Sequence, residues 1–186
     1  MSRTIAIAVL MTALVVPSFA LAATMKGTDG PDVLTGTPES DRISGRDGDD
    51  TIDGQAGDDR LRGDRGNDTV TGGDGADGVS GGRGDDTLDG GAGDDRLKGK
   101  HGDDDIDGGA GNDRIRADKG EDTVDAGEGD DRVNSRDKQA DTVDCGAGED
   151  TVIADRHDTL TNCEKQKVRK GGKGHKDANG GNTRKP

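Results

Sequence analysis

Aromatic side chains are almost absent from this chain of 186 residues. There is no tryptophan and no tyrosine, and the one phenylalanine is Phe19. Without aromatic platforms the chain cannot stack nucleic-acid bases, so we expect no nucleic-acid partner. Hydrophobic residues of all kinds make up 26%, which is too little apolar burial to offset the entropy of ordering the chain. An ordinary hydrophobic core is therefore excluded, and something else must hold the chain together.

Catalytic motifs are also missing. No HExxH, GxSxG or phosphate-binding loop pattern occurs in the sequence, and these are the patterns that mark zinc proteases, hydrolases and nucleotide-binding proteins. The three histidines, His101, His157 and His175, have no nucleophile beside them. The sequence therefore predicts a protein that is not an enzyme.

The two ends differ from the rest of the chain. Arg3 precedes an apolar run at positions 5–16, and Ala20-Leu21-Ala22 matches the small-x-small cleavage pattern. This predicts a signal peptide over 1–22, a secreted or extracellular protein, and no transmembrane segment after cleavage. The alternative is an uncleaved membrane anchor. Residues 164–186 are rich in lysine and arginine and are predicted to be a basic, disordered tail.

The central part of the chain is built from blocks of nine residues. Twelve blocks run from Gly27 to Asn134 without a slip, followed by a ten-residue block (SRDKQADTVD) and a further block of nine (CGAGEDTVI). The fourth position of the twelve regular blocks is glycine except at Glu39, and the eighth is always aliphatic. The sixth position is aspartate in all twelve regular blocks, and the same aspartate recurs in the last two blocks as Asp141 and Asp150. The fourteen aspartates are Asp32, Asp41, Asp50, Asp59, Asp68, Asp77, Asp86, Asp95, Asp104, Asp113, Asp122, Asp131, Asp141 and Asp150.

A physical reason explains the residue type at each recurring position of the block. Glycine allows tight turns whose carbonyls can point at an ion. Calcium prefers six to eight oxygen ligands from carboxylates and carbonyls. The last three residues of a block suit a short strand with the aliphatic residue inward. The alternative is a disordered tract rich in glycine and aspartate, but compositional bias alone does not keep an aliphatic residue in fixed register.

The blocks resemble the G-G-x-G-x-D-x-aliphatic-x repeats of the RTX (repeats-in-toxin, haemolysin-type calcium-binding) family over residues 27–153. The resemblance implies an all-β fold, a right-handed parallel β-roll (a solenoid) with two repeats per coil, and hence seven coils over residues 23–153. It also implies that several Ca²⁺ ions lie between successive turns, held by the fourteen aspartates and by turn carbonyls. Glu39 makes the second block a weaker site. The second position often lacks glycine, at Thr28, Arg46, Gln55, Asp64 and Lys100, so the resemblance does not define those turns.

Outward positions repeat with a period of eighteen residues, which supports the two-block coil without reference to the family. The seventh position is mostly arginine in even blocks and mostly threonine in odd blocks, and the ninth follows with bases on even and aspartates on odd blocks. One sheet is therefore predicted to be basic outside and the other acidic and rich in threonine. The basic residues either contact anionic envelope polymers or another copy of the chain, or they only offset carboxylate repulsion.

Cys145 and Cys163 are eighteen residues apart, which is one coil. Stacked residues on neighbouring coils lie about 4.8 Å apart, within the Cα separation that a disulfide needs. Because export makes oxidation favourable, we predict a Cys145–Cys163 disulfide; two free thiols are the alternative. Residues 154–163 lack the glycines of the repeats and are predicted to cap the C-terminal end of the roll.

The charge of the chain makes folding dependent on cations. The net charge is −14, and aligned carboxylates repel one another unless a cation neutralises them. We therefore expect calcium binding to supply the free energy of folding. The predicted role is a structural or interaction module of the cell envelope or extracellular matrix. The alternatives are a free extracellular calcium buffer or sensor, and a remnant repeat module of an RTX toxin or hydrolase.

Overall fold

The computed structural model describes residues 21–168. The signal peptide predicted over 1–22 lies almost wholly outside the described residues, and so do residues 169–186 of the basic tail predicted over 164–186. The start of that predicted tail, Lys165–Val168, is a strand and not disordered, because it pairs with the neighbouring strand Thr151–Ala154. The described chain winds as a parallel β-solenoid in which successive strands alternate between two sheets. The predicted all-β, parallel, two-repeat coil is confirmed.

The larger sheet has nine parallel strands and the smaller has eight. The larger sheet contains β1 (Thr24–Lys26), β3 (Arg42–Asp47), β5 (Arg60–Arg65), β7 (Gly78–Arg83), β9 (Arg96–His101), β11 (Arg114–Lys119), β13 (Arg132–Asn134), β15 (Thr151–Ala154) and β17 (Lys165–Val168). The smaller sheet contains β2 (Val33–Thr35), β4 (Thr51–Asp53), β6 (Thr69–Asp74), β8 (Thr87–Ala92), β10 (Asp105–Asp107), β12 (Thr123–Asp125), β14 (Thr142–Asp144) and β16 (Thr159–Thr161).

The strands pair in a register of eighteen residues. Leu61 lies beside Val79, and Val79 beside Leu97, so each coil places one block in each sheet. The ten-residue block changes this register by one, because Thr123 pairs with Thr142. The extra residue lies in the turn before β14, and both sheets continue past it.

Aliphatic side chains at the eighth position form the core. They alternate between the two sheets and are almost completely buried: Ile43, Ile52, Leu61, Val70, Val79, Leu88, Leu97, Ile106, Ile115, Val124, Val133, Val143 and Val152. The core is therefore a narrow strip one aliphatic residue wide per strand, as expected for a chain with so few apolar residues.

The turns keep one backbone conformation even where the second position is not glycine. Arg46, Gln55, Asp64 and Lys100 have φ values of 91°, 77°, 84° and 89°, in the left-handed region that side chains other than glycine disfavour by about 1–2 kcal/mol. Thr28 is not among these residues. Stacking against neighbouring coils therefore imposes the turn at these four positions.

The C-terminal end closes with the predicted disulfide. Cys145 and Cys163 are bonded, with their Cα atoms 5.1 Å apart, and Cys145 is completely buried. The segment 154–163 contributes β16, the last strand of the smaller sheet, and β17 then adds a ninth strand to the larger one.

The solenoid is longer than the repeats alone predict. Fourteen blocks give seven coils, whereas the structure has about eight turns. The prediction was too short because β1 precedes the first block, and β16 and β17 follow the last one. Within residues 21–168 there is no helix long and apolar enough to cross a membrane.

Candidate metal sites in the two aspartate columns

The structure gathers the fourteen sixth-position aspartates into two columns, one along each row of turns. Each aspartate directly precedes a strand, and because its side chain points inward like the eighth residue, thirteen of the fourteen are buried. Asp32, in the first block, is half-buried. One column contains Asp41, Asp59, Asp77, Asp95, Asp113, Asp131 and Asp150, and the other contains Asp32, Asp50, Asp68, Asp86, Asp104, Asp122 and Asp141.

One carboxylate oxygen of each inner aspartate is used to join neighbouring coils. The amide N–H of Asp77 donates to Oδ1 of Asp95 at 2.7 Å, and the N–H of Asp95 donates to Oδ1 of Asp113 at 2.8 Å. The same bond recurs along both columns, for example from Asp86 to Asp104 at 3.0 Å. Each aspartate thus fixes the position of the preceding turn through Oδ1.

The other oxygen, Oδ2, is buried and has no hydrogen-bond partner in twelve of these aspartates. They are Asp50, Asp59, Asp68, Asp77, Asp86, Asp95, Asp104, Asp113, Asp122, Asp131, Asp141 and Asp150. A buried carboxylate oxygen without a donor or a cation is strongly unfavourable, and here the arrangement repeats once per block. Protein contacts alone therefore leave one oxygen of most carboxylates in the two columns without a partner.

The first-position glycines lie directly against these oxygens. A Cβ atom added to Gly90 would lie 2.6 Å from Oδ2 of Asp95 and 2.5 Å from the carbonyl oxygen of Gly108. A carboxylate oxygen and a main-chain carbonyl oxygen thus lie close together beside a residue that has no side chain. Gly36 is similarly placed, because its Cβ would lie 2.6 Å from Oδ2 of Asp41.

Burial raises the pKa of the twelve aspartates with an unpaired Oδ2 from the ordinary value of 3.8. The pKa is about 7 for Asp95, Asp104 and Asp141, and about 6 for Asp59, Asp68, Asp86, Asp113, Asp122 and Asp131. Desolvation is the largest cause; the amide N–H that binds Oδ1 lowers the pKa, and carboxylates of adjacent turns raise it again. In the absence of a cation, burial therefore makes the charged form of these carboxylates less favourable than it is in water.

The donors available suit a hard cation such as calcium. Calcium binds carboxylate and carbonyl oxygens and tolerates irregular geometry, and both kinds of oxygen are present beside most of the first-position glycines. Among residues 21–168, no three side chains of His, Cys, Asp or Glu converge on one point. A bound ion would therefore take one or two carboxylates from a column and the remaining oxygens from turn carbonyls.

The N-terminal end of each column differs from its middle. Oδ2 of Asp32 accepts the N–H of Thr28, and Oδ2 of Asp41 accepts the N–H of Thr37, each at 2.5 Å. These two carboxylates already have protein partners on both oxygens or lie partly in solvent. This supports the expectation that the second block is a weaker site and extends the same expectation to the first.

Two residues outside the repeat pattern complete the columns at the C-terminal end. Oδ1 of Asp158 accepts the N–H of Asp141 at 3.4 Å, and Oε2 of Glu164 accepts the N–H of Asp150 at 3.1 Å. Asp158 also accepts a hydrogen bond from Ser135 Oγ at 2.8 Å. The periodicity missed both residues because neither is eighteen residues from its donor.

A second ladder, formed by fifth-position side chains, was also missed. Oδ1 of Asp49 accepts the N–H of Asn67 at 2.8 Å, and Oδ1 of Asn67 accepts the N–H of Asp85 at 3.0 Å. On the opposite row of turns, Oδ1 of Asp94 accepts the N–H of Asn112 at 2.9 Å. These side chains are exposed and accept from the following coil, the reverse of the buried columns. The frequent Asp or Asn at the fifth position was the signal that could have predicted this ladder.

Comparison with protein families agrees with this geometry. The family model for the RTX calcium-binding nonapeptide repeat (4 copies) matches residues 26–61, 53–88, 71–100, 80–115 and 99–133. These matches together cover more than half of the chain. No curated protein matches the chain.

Proposed function

The chain belongs to the RTX calcium-binding nonapeptide repeat family, and we propose that it is a secreted protein that folds on binding several calcium ions. In the folded state it acts as a structural or interaction module of the cell envelope or extracellular matrix. The observation that carries the calcium part is the set of twelve buried Oδ2 atoms without a partner. The fourteen sixth-position aspartates are the proposed ligands, with the inner twelve as the stronger sites.

Calcium would act here as part of the structure. A bound ion neutralises the Oδ2 atoms of a column and links turns that otherwise carry only repelling carboxylates. Because the unfolded chain offers no such arrangement, the binding free energy becomes folding free energy. Extracellular modules bind calcium at about 10⁻⁴–10⁻³ M, so the chain would remain loose where calcium is scarce and fold where it is plentiful.

The proposed location and role are supported by different features. A disulfide is typical of an oxidising compartment, and the chain has one at Cys145–Cys163. The two sheets expose long rows of side chains of opposite charge, and His101 and His157 are exposed. These features suit contact with other macromolecules or polymers better than chemistry on a small substrate.

The calcium sites are tested by one substitution and a matched control in the same coil. Asp95→Asn retains an oxygen to accept the N–H of Asp77 but removes the buried charge, so we expect fewer ions bound in calorimetric titration and a several-fold higher calcium midpoint. Asp94→Asn makes the same chemical change at the exposed neighbour, where Asn67 and Asn112 occupy equivalent positions. We expect its midpoint to stay within twofold of the wild type. Equal effects of the two substitutions would contradict the assignment.

The proposed role is tested by fractionating cells and medium of the source organism. Protein that remains with the envelope and is released by salt supports an interaction module. Protein found only in the free medium would instead support the calcium buffer or sensor.

A further inference from the structure

One coil interrupts the basic surface of the larger sheet. At the seventh position this sheet has arginine in five of six successive coils, namely Arg42, Arg60, Arg96, Arg114 and Arg132, and the exception is Gly78. At the ninth position the same coil has Ser80 between Arg62 and Lys98. The result is a depression of about 680 Å³ over β7, bordered by the side chains of the neighbouring coils.

The fold does not require glycine at position 78. Its φ is not in the left-handed region, and an added Cβ would meet only ordinary contacts, 3.7 Å from the carbonyl oxygen of Asp59 and 4.0 Å from Cγ of Arg60. Other glycines of the roll are enclosed, since a Cβ on Gly90 would be 2.5 Å from the carbonyl oxygen of Gly108. Gly78 therefore leaves open space on the surface without a backbone reason.

The depression is surrounded by cations that have no carboxylate partner. Arg60, Arg62, Arg96, Lys98 and Lys100 line it, and none of them forms a salt bridge within residues 21–168. Arg60 and Arg96 are two coils apart, which corresponds to about 9.6 Å along the sheet. An anionic group placed above Gly78 would therefore have cations on both sides.

Few exposed negative charges lie beside the depression. Oγ of Ser80 is buried and has no hydrogen-bond partner in the described residues. The same coil has Ala76 at the fifth position, where most coils have an acidic or amide side chain. The exposed acid beside the depression, Asp58, already accepts the N–H of Ala76 through Oδ1 at 3.0 Å. Asp59 and Asp77 also line the depression, but both are buried, so its exposed rim carries more positive than negative charge.

We propose that the depression over β7, between Arg60/Arg62 and Arg96/Lys98, binds the anionic groups of an acidic polysaccharide. Cations that recur at the coil spacing suit charges that recur along a polymer. Guanidinium donors suit sulfate or carboxylate groups on sugars. The described residues contain no aromatic side chain, which disfavours nucleic acid because base stacking is unavailable. This proposal rests on the proposed function, since only the folded roll brings these coils together.

The test measures binding of three polymers with one backbone to the calcium-loaded protein: dextran sulfate, carboxymethyl dextran and neutral dextran. We expect both anionic dextrans to bind with an affinity that decreases with salt, and neutral dextran not to bind. Binding of neutral dextran, or tighter binding of single-stranded DNA than of either anionic dextran, would overturn the proposal. Comparison of the two anionic arms distinguishes sulfate from carboxylate as the preferred group.

Substitutions that fill the depression test whether binding depends on its shape or only on the positive charge of the sheet. Gly78→Thr and Gly78→Arg should each weaken binding about tenfold, although Gly78→Arg adds a positive charge. Arg96, Arg114 and Arg132 already lie on successive coils, so an arginine at position 78 is compatible with the fold. Asn134→Arg is the matched control, since it adds the same charge to the same sheet outside the depression, and its affinity should be unchanged or slightly higher.

Failure of the polysaccharide proposal can be distinguished from failure of the proposed calcium-dependent folding. If Gly78→Arg binds as tightly as Asn134→Arg, the depression is not a site and the proposal is wrong, while the calcium-dependent fold is unaffected. Circular dichroism of every variant in calcium shows whether the roll is folded, independently of any polymer. A wild-type protein that folds with calcium but does not bind either anionic dextran would also overturn the proposal.

Discussion

The middle of the roll and its C-terminal end form the same two sheets but differ beside the carboxylate columns. From Gly45 to Gly108 every block begins with glycine, which leaves space next to Oδ2 of the aspartate five residues later. Towards the end, the first position is instead occupied by side chains that are all buried: Ala117, Ala126, Ser135, Cys145 and Ala154. The middle coils thus have no side chain beside these oxygens, whereas the end coils have a small buried one.

The difference indicates two ways of stabilising one fold. The middle coils have a core one aliphatic residue wide and depend on cations to neutralise the columns. The end coils add apolar packing at the first position, and a disulfide joins two of their strand ends. The end coils still contain unpaired Oδ2 atoms, at Asp122, Asp131, Asp141 and Asp150. The apolar packing and the disulfide therefore stabilise these coils in addition to cation binding and do not replace it.

Acidification should change the stability of the roll more than any substitution below. It should stabilise the calcium-free protein and weaken calcium-dependent folding. The folded pKa of Asp95, Asp104 and Asp141 is about 7, above the ordinary value of about 3.9 in the unfolded chain. The folded state therefore binds more protons, and the free energy of unfolding of the calcium-free roll rises as pH falls from about 7 towards 4. In calcium-depleted buffer, circular dichroism should show increasing β-structure from pH 7.5 to pH 5.

With calcium present the pH dependence should be reversed. Protons compete with calcium for the same Oδ2 atoms, so the calcium midpoint of folding should rise as pH falls over the same range. A calcium-free protein that loses β-structure on mild acidification would show that these carboxylates are not the main obstacle to folding.

Removing the disulfide should affect one end of the molecule. The Cys145→Ala/Cys163→Ala double variant opens a loop of the size for which closure contributes about 3 kcal/mol, and alanine already occupies the equivalent buried position at Ala117 and Ala126. In saturating calcium we expect faster hydrogen exchange for residues 142–163 and unchanged exchange for residues 60–113. Wild-type protein in reductant is the control and should match the variant. A uniform change along the whole roll would contradict the division into two regions.

A glycine-to-alanine pair tests the space beside the columns. Gly90→Ala places a Cβ against Oδ2 of Asp95 and the carbonyl oxygen of Gly108, and overpacking of this kind destabilises by about 1–3 kcal/mol. Gly78→Ala is the matched control on an open surface and should change stability by less than about 0.5 kcal/mol. Thermal unfolding in calcium measures both. Equal unfolding temperatures for the two variants would show that the first-position glycines are not needed for space.

Periodicity predicted the parts of the structure that repeat. The eighteen-residue spacing was sufficient for the two sheets and the Cys145–Cys163 bond, because strand pairing in a solenoid depends only on residues one coil apart. It could not predict how the columns end, since Asp158 and Glu164 complete them from irregular distances. It also could not predict the backbone conformation at the second position. Whether Arg46 or Lys100 adopts a positive φ depends on stacking against neighbouring coils and not on local preference.

The depression on the surface could be identified only from the three-dimensional structure. The sequence predicted a basic and an acidic sheet, but the depression over β7 results from Gly78 and Ser80 pointing outward beside Arg60, Arg62, Arg96 and Lys98. These residues are distributed over 39 positions of the chain, and only the register of β5, β7 and β9 brings them to one place.

The central claim is that calcium binding to the aspartate columns is what folds this chain. Far-ultraviolet circular dichroism of the oxidised protein, recorded in excess chelator and then during calcium addition, tests it most directly. The account predicts a largely disordered spectrum in chelator and a cooperative change to β-structure at about 10⁻⁴–10⁻³ M calcium. An identical β-rich spectrum in chelator and in calcium would contradict it.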